Sequence, residues 1–372
     1  MIPIWDTLGR TTVDDIVAKL DNPPFPRSPY DGYAIRAADT GTERLFRVVG
    51  RSFAGSPYNG TLGELEAVRI MTGGVIPDEA DCVVPQEETD FGEHFVKINC
   101  HCNSGDNYIN RGEDFSKGQT IIRKNTRITA SHAALAVAGG INQIKVYRKI
   151  KTAVISTGDE LVKPGNPLKT GCIYDTNLIY TSLRLSELEM EPVAAMQIND
   201  NFSELTNALD YACRIANMVI MTGGVSVGQR DLVPSAIEKA GASVIFHGIA
   251  IKPGMPTLFA IWNKKVPVIA LSGNPFAAMV GFEVIVRPAL ALLSRNKKLL
   301  PKMGEAVLEN SFDKNSSTRR FIKAYVNDNR VSIPELQGNG SLLTTAECNC
   351  LIDVSAETKN LKEKSRVKII YV

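Results

Sequence analysis

Between residues 151 and 293 short apolar runs alternate with longer amphipathic ones, and few architectures accommodate that alternation. Residues 152–156, 192–198, 218–221, 243–246 and 266–271 have the length and β-prone content of buried strands. Residues 177–188, 201–216, 232–240 and 276–293 have the length and period of helices. Strand followed by helix, repeatedly, predicts a parallel sheet with helices on both faces. Asn201 and Glu204 stand at capping-box spacing, and Pro275 fits the first position of its helix. The expected fold class is α/β multidomain, with a central doubly wound α/β domain over 149–296.

The flanks have a different character. From 23 to 108 the chain is rich in Gly and Pro, with β-prone runs at 45–49, 67–71 and 95–100, which predicts a small β-domain. Around it, 12–20 and 131–138 read as helices. The β-domain is therefore expected as an insertion, 23–108, in a helical domain made of 1–22 and 109–148. After 296 the sequence turns polar and strand-like at 324–326, 330–333 and 367–372, predicting a C-terminal β-domain over 297–372. Met-Thr-Gly-Gly occurs at 71–74 and again at 221–224, but the flanks differ, so these are two independent turns.

Composition narrows the function classes. A hydrophobic share of 44% against 22% charged is that of folded domains with ample core. Lys plus Arg number 42 and Asp plus Glu 40, a net +2 that argues against nucleic acid as a partner. The N-terminus has no basic start followed by an apolar run, and the apolar stretch 266–286 is broken by Ser272-Gly273-Asn274-Pro275 and carries Glu283. No membrane partner and a cytoplasmic location are expected. The seven cysteines fit no disulfide framework. Cys100 with Cys102, and Cys348 with Cys350, offer either a thiolate metal site or small apolar residues on one face of a strand. Without a Cys-x-x-Cys knuckle the second is favoured.

In open α/β sheets ligands bind at the carboxyl ends of the strands. Three glycine-bearing loops fall there, at 156–160, 222–231 and 271–275. In the second, Gly223, Gly224 and Gly228 let the backbone approach a ligand, and Thr222 and Ser226 add hydroxyls. Successive N–H groups ahead of a helix make an anion nest. Asp231 reads equally as a carboxylate holding a divalent cation against a phosphate or as the cap of the next helix. Lys252, beside the Pro253-Gly254 turn, is either a fixed ammonium or a solvated one. Asp31 and Asp114 lie in turns that, taken alone, are surface turns.

Together these segments resemble the molybdopterin molybdotransferase family, MoeA of bacteria and the E domain of gephyrin. The resemblance rests on 28–36 (pattern S-x-x-D-G-Y-A-x-R), 69–73 with 81–88, and 111–118. It continues through 156–161 with 175–177, then 222–231, 251–256 and 271–275, in order along the whole chain. It implies a homodimer of four-domain subunits: a helical domain with an inserted β-domain, a molybdopterin-binding α/β domain, and a C-terminal β-barrel-like domain. The implied reaction takes adenylated molybdopterin and molybdate, cleaves the adenylate in a Mg²⁺-dependent step, and yields molybdenum cofactor and AMP. A MogA-type molybdopterin adenylyltransferase would precede it, and molybdenum cofactor acceptor proteins would follow. The implied site lies between the α/β domain of one subunit and the β-domain of the other.

The same resemblance makes Asp31, Asp114, Glu160, Asp231 and Lys252 the candidate catalytic set, with Glu160 and Asp231 holding the metal. The substrate-binding set is Thr72, Thr157, Asp200, Thr222, Gly223, Gly224, Ser226, Gly228, Pro253, Gly254, Ser272, Gly273, Asn274, Arg320 and Lys323, with Arg319 beside them. Asp200 has a competing reading as the cap of the helix it precedes. Three departures matter. Met255 stands where the family has a second lysine, Ala277 where it often has serine, and the chain lacks a counterpart of the first helix. Weaker or rearranged oxyanion binding is expected, with Lys252, Ser272 and the C-terminal basic cluster compensating. Alternatives are a molybdopterin-binding scaffold without transferase activity, a tungstate-inserting homologue, or a hydrolase sharing only the α/β domain. The retained Asp31, Glu160 and Asp231 speak against the scaffold, and the matches outside the α/β domain speak against the hydrolase.

Overall fold

Six of the seven residues of strand Lys151–Thr157 are buried, as a strand covered on both faces requires. In the computed structural model, which describes residues 1–225, 232–315 and 317–372, this strand lies inside a six-stranded sheet. It pairs in parallel with Glu191–Ile198 on one side and Met218–Thr222 on the other, and Met218–Thr222 pairs in parallel with Val266–Leu271. Alternate residues feed opposite cores. Ile155, Val219 and Met221 pack under helices Phe202–Ile215 and Val233–Lys239. Val154, Ile220 and Leu271 pack under Thr176–Glu187 and Pro275–Ser294. The doubly wound centre is as the alternation predicts.

Leu258–Trp262 is a strand the sequence reading missed. It pairs antiparallel with both Val266–Leu271 and Ala242–His247, so it alone runs against the other five strands of the sheet. Its turn is Asn263-Lys264, with φ of 48° and 55°, closed by Lys265 N–H donating to Trp262 O at 2.9 Å. Two left-handed residues in succession are the type I′ hairpin geometry, which glycine usually signals. A lysine at the second position hides it.

Beyond the sheet, Met303–Leu308, Arg319–Asn327, Arg330–Ser332, Cys350–Val354 and Arg366–Tyr371 close into a barrel. Closure comes from Arg319–Asn327 pairing with both Arg330–Ser332 and Cys350–Val354. The short strand Ile251–Lys252 adds to it in parallel beside Arg319 and Arg320. All of this belongs to the compact unit Arg148–Val372.

The other unit, Met1–Tyr147, holds a sheet in the order Cys82–Pro85, Gly32–Ile35, Glu66–Ile70, Arg44–Ser52, Phe95–Ile98. Helix Ala130–Ala138 is present, and Thr129 caps it by accepting the His132 N–H. The helix expected over 12–20 does not form. Ile16–Val17 is instead a strand antiparallel to Thr120–Ile122. Thr11, Thr12, Val13, Ile16 and Val17 are β-branched and favour extended backbone, and Ile16 and Ala18 are buried with Val17 exposed between them, a period of two. Cys100 and Cys102 pack against this unit's core and Cys350 lies in the barrel core, as small apolar residues do.

Helix Pro275–Ser294 is long and apolar enough to cross a membrane by length and composition, yet 61% of its most apolar window is buried inside the protein. Within it Glu283 is fully buried and bonds Arg184 Nε and Arg287 through its two oxygens, each at 2.8 Å. The turn Phe282–Val286 widens into a π-helix around it. Glu283→Ala would strip Arg287 of its counter-charge and leave Arg184 only the exposed Glu187, at 2.7 Å, costing about 3–5 kcal/mol. Urea unfolding should show that loss, and a change below about 1 kcal/mol would contradict the assignment.

Candidate functional site

Thr157, Thr222 and Leu271 end three adjacent parallel strands, so the loops that follow stand side by side. Gly223 has φ 91°, and a Cβ there would lie 2.2 Å from the Thr157 carbonyl oxygen. Gly223 N–H donates to Leu271 O at 3.2 Å, and a Cβ on Gly273 would meet Gly223 Cα at 3.3 Å. These glycines therefore serve contact between loops as well as ligand access. Thr222 is buried, and its hydroxyl has no hydrogen-bond partner among the described residues. Ser226, Gly228 and Asp231, expected in the same loop, lie outside the described residues.

Carboxylates gather at the first loop. Thr157 Oγ1 donates to Asp200 Oδ1 at 2.8 Å, and Asp200 N–H donates to Asp159 Oδ1 at 3.0 Å. The reading of Asp200 as a helix cap is corrected: Asn201 caps Phe202–Ile215, its side chain accepting Glu204 N–H at 3.0 Å. Glu160 folds its carboxylate over Gly158, where a Cβ would come within 2.6 Å of Oε2. Asp175 caps Thr176–Glu187 through Leu178 N–H at 3.0 Å and accepts the Ser156 hydroxyl. Asn177 Nδ2 donates to Gly273 O at 2.7 Å, tying that helix to the third loop.

Ser272 and Asn274 line a cleft of about 680 Å³, to which Thr157, Glu160, Thr222 and Gly223 contribute nothing. Lys252, Pro253, Gly254, Met255 and Ala277 line it together with Phe312, Lys314 and Arg320 from the barrel side. Its charged lining side chains among the described residues are Lys252, Lys314 and Arg320, and none is acidic. Lys252 stands opposite Arg320 in the parallel strand pair. Arg320 is buried, donating to Lys314 O at 3.3 Å and Asn315 O at 3.1 Å, with its guanidinium 5.8 Å from the Phe312 ring centroid.

In the unit Met1–Tyr147, Asp31 and Thr72 meet. Thr72 N–H and Oγ1 both donate to Asp31 Oδ1, at 2.7 and 2.9 Å. These bonds, aided by the charge of Arg69, hold the Asp31 carboxyl below the usual carboxylate range. Asp114 instead clasps a turn, accepting Asn22 Nδ2 at 2.9 Å while its N–H donates to Asn22 O at 3.0 Å. No hydrogen bond among the described residues joins it to Asp31 or Thr72.

Residues 1–140 match the family model described as MoeA N-terminal region (domain I and II), and residues 153–292 match Probable molybdopterin binding domain. The molybdopterin molybdenumtransferase of Bacillus subtilis is 34% identical, covering 100% of this chain and 89% of its own. That of Haemophilus influenzae is also 34% identical, covering 98% and 92%. Two structures of the molybdopterin biosynthesis moeA protein from Pyrococcus horikoshii superpose with TM-scores of 0.88 and 0.81 at 32% and 26% identity. They cover 100% of this chain and 93% and 94% of theirs. The chain belongs to the molybdopterin molybdenumtransferase family.

It is accordingly a transferase of molybdenum cofactor biosynthesis. For this molybdenumtransferase the structure corrects one expected substrate contact. Lys323 is fully buried, its Nζ donating to Gly338 O, Ser341 O and Thr345 Oγ1 at 3.0, 3.1 and 3.4 Å. Burial also lowers its pKa. All three ammonium hydrogens are used inside the protein, so Lys323 holds the segment around 338–345 and offers nothing to a substrate. Arg319 is likewise engaged, by both oxygens of Asp353 at 2.7 Å. Lys314, a cleft-lining residue the sequence reading did not single out, sits in a polar loop with no motif to mark it.

Loop convergence makes a controlled comparison possible. Gly223 and Gly165 share φ 91°, but a Cβ on Gly165 meets nothing within 4 Å. Both alanine substitutions carry the same left-handed strain, of order 1 kcal/mol. Only Gly223→Ala should abolish molybdopterin binding in a titration; equal affinity for the two variants would contradict the role of the close approach.

Proposed function

We propose that this transferase inserts molybdate into adenylated molybdopterin with release of AMP in a Mg²⁺-dependent step. The observation that carries the reading is a separation of charge across the 272–274 segment. On one side lies a cleft whose charged lining groups are cations, and on the other lie glycine loops flanked by carboxylates. A tetrahedral dianion is drawn to the cationic side, where Lys252, Pro253, Gly254, Ser272 and Asn274 face it and Arg320 is buried in the wall. The Gly224 backbone, with Gly223 giving the close approach and Thr157 and Thr222 beside it, suits the pterin phosphate. Gly273 separates the two ends.

In this reading Glu160 and Asp231 would hold Mg²⁺, which when bound would offset charge on the phosphoanhydride. The side-chain donors at the first loop are oxygens, as a hard cation prefers. Mg²⁺ takes one or two carboxylates and completes its shell with phosphate oxygens and water. The Thr157–Asp200 hydrogen bond orients the hydroxyl at the first loop, and Lys252 offsets the oxyanion charge. Asp31, fixed by Thr72, and Asp114 join the catalytic set on the strength of the family pattern. A cytoplasmic homodimer, served by a MogA-type adenylyltransferase and serving cofactor acceptor proteins, belongs to the same proposal.

Incubation with adenylated molybdopterin, Mg²⁺ and either molybdate or tungstate should release AMP and form cofactor, with the preferred oxyanion giving the faster turnover. Lys252→Ala should raise the oxyanion concentration needed for half-maximal rate about tenfold, the loss of one charge-assisted contact. Binding of adenylated molybdopterin without AMP release under every condition would favour the scaffold instead.

A further inference from the structure

We infer that Lys314 is a second cationic contact for the oxyanion, beside Lys252, and that Arg320 is the positioning residue that holds it at the cleft. The inference rests on the reading of this cleft as the oxyanion end. Arg320 is placed to bind an anion by its strand partner, Lys252, but its hydrogen bonds point inward. NH1 and NH2 donate to the carbonyl oxygens of Lys314 and Asn315, and the side chain is buried. Those bonds pin the backbone at 314–315 against the cleft. The root of the same loop is fixed as well, because Phe312 and Leu361 exchange backbone hydrogen bonds at 2.9 and 3.0 Å. Lys314 is therefore a long, exposed cation on a backbone anchored at both places.

The Lys314 ammonium makes no ion pair among the described residues. Its nearest described partner is the Phe312 ring, 5.9 Å from Nζ to centroid, which leaves its three donors available. The neighbouring acid, Asp313, is not among the residues that line the cleft. The segment 252–256 contributes one cation, Lys252, and the exposed thioether of Met255. Lys252 and Lys314 face the cleft with no acid among its lining residues, so a dianion entering it meets two ammonium groups without a competing carboxylate. Lys314 is the one whose donors are not already used by the protein and which comes from the barrel side.

Molybdate titration by calorimetry into the full chain tests this. Lys314→Ala should weaken binding about five- to tenfold, as loss of a charge-assisted contact does, and Lys314→Arg should restore most of it. Arg320→Ala should weaken binding to a similar degree. The double variant should be no more than about twofold weaker than the worse single one, because both act through one contact. Added salt should weaken wild type more than Lys314→Ala. Wild-type affinity in Lys314→Ala together with a loss in Lys252→Ala would overturn the inference and leave the cleft reading standing. No loss in either would overturn the cleft reading itself. Fully additive losses would show that Arg320 touches the anion directly and overturn its positioning role.

Discussion

The closeness of the Gly223 backbone to the Thr157 carbonyl sets the geometry of the whole site. Parallel pairing of Lys151–Thr157, Met218–Thr222 and Val266–Leu271 ends three strands at one level, but it does not bring their loops into contact. Contact requires a residue with positive φ and no side chain at Gly223, and another small backbone at Gly273 to lie against it. Once the loops abut, the first presents carboxylates, the second the Gly224 backbone and the buried Thr222 hydroxyl, and the third carries Ser272 and Asn274 into the cationic cleft.

Two helices hold the third loop in place, and they are locked together at two levels. Asn177, at the start of Thr176–Glu187, bonds the Gly273 carbonyl, and Arg184, two turns later, bonds Glu283 in Pro275–Ser294. Arg287 completes the buried pair. A charged network of this kind is weak as a source of stability but restrictive as to register. Here it fixes the helix that starts at Pro275, and with it the Ser272–Asn274 segment that faces both halves of the site. The barrel contributes the remaining wall through Ile251–Lys252, which joins Arg319–Asn327.

Much of this was legible in the sequence. The period of apolar runs revealed the sheet and its helices, and glycine after each central strand marked the loops. What escaped notice did so for physical reasons. The Asn263-Lys264 turn lacks the glycine that announces a type I′ hairpin, so Leu258–Trp262 went unseen. The 12–20 segment carries charges at helical spacing, yet its β-branched residues decide for a strand. Lys323 looked like a ligand because it is basic and lies near Arg320. Only burial shows that its hydrogen bonds close inside the barrel. Lys314 carried no motif, and its place at the cleft depends on carbonyl oxygens bound by Arg320. Strand alternation reveals where loops must be, whereas the direction of a long side chain depends on contacts that no local pattern encodes.

The claim that joins these observations is that the carboxylate-free cleft beside the third loop receives a tetrahedral dianion. Crystals soaked in tungstate, with anomalous diffraction recorded at a tungsten absorption edge, test it most directly. The account predicts a single strong anomalous peak in the cleft, within hydrogen-bonding reach of Lys252 and Lys314 and close to Ser272. A peak at the glycine loops between Thr157 and Gly223, with the cleft empty at saturating tungstate, would contradict it.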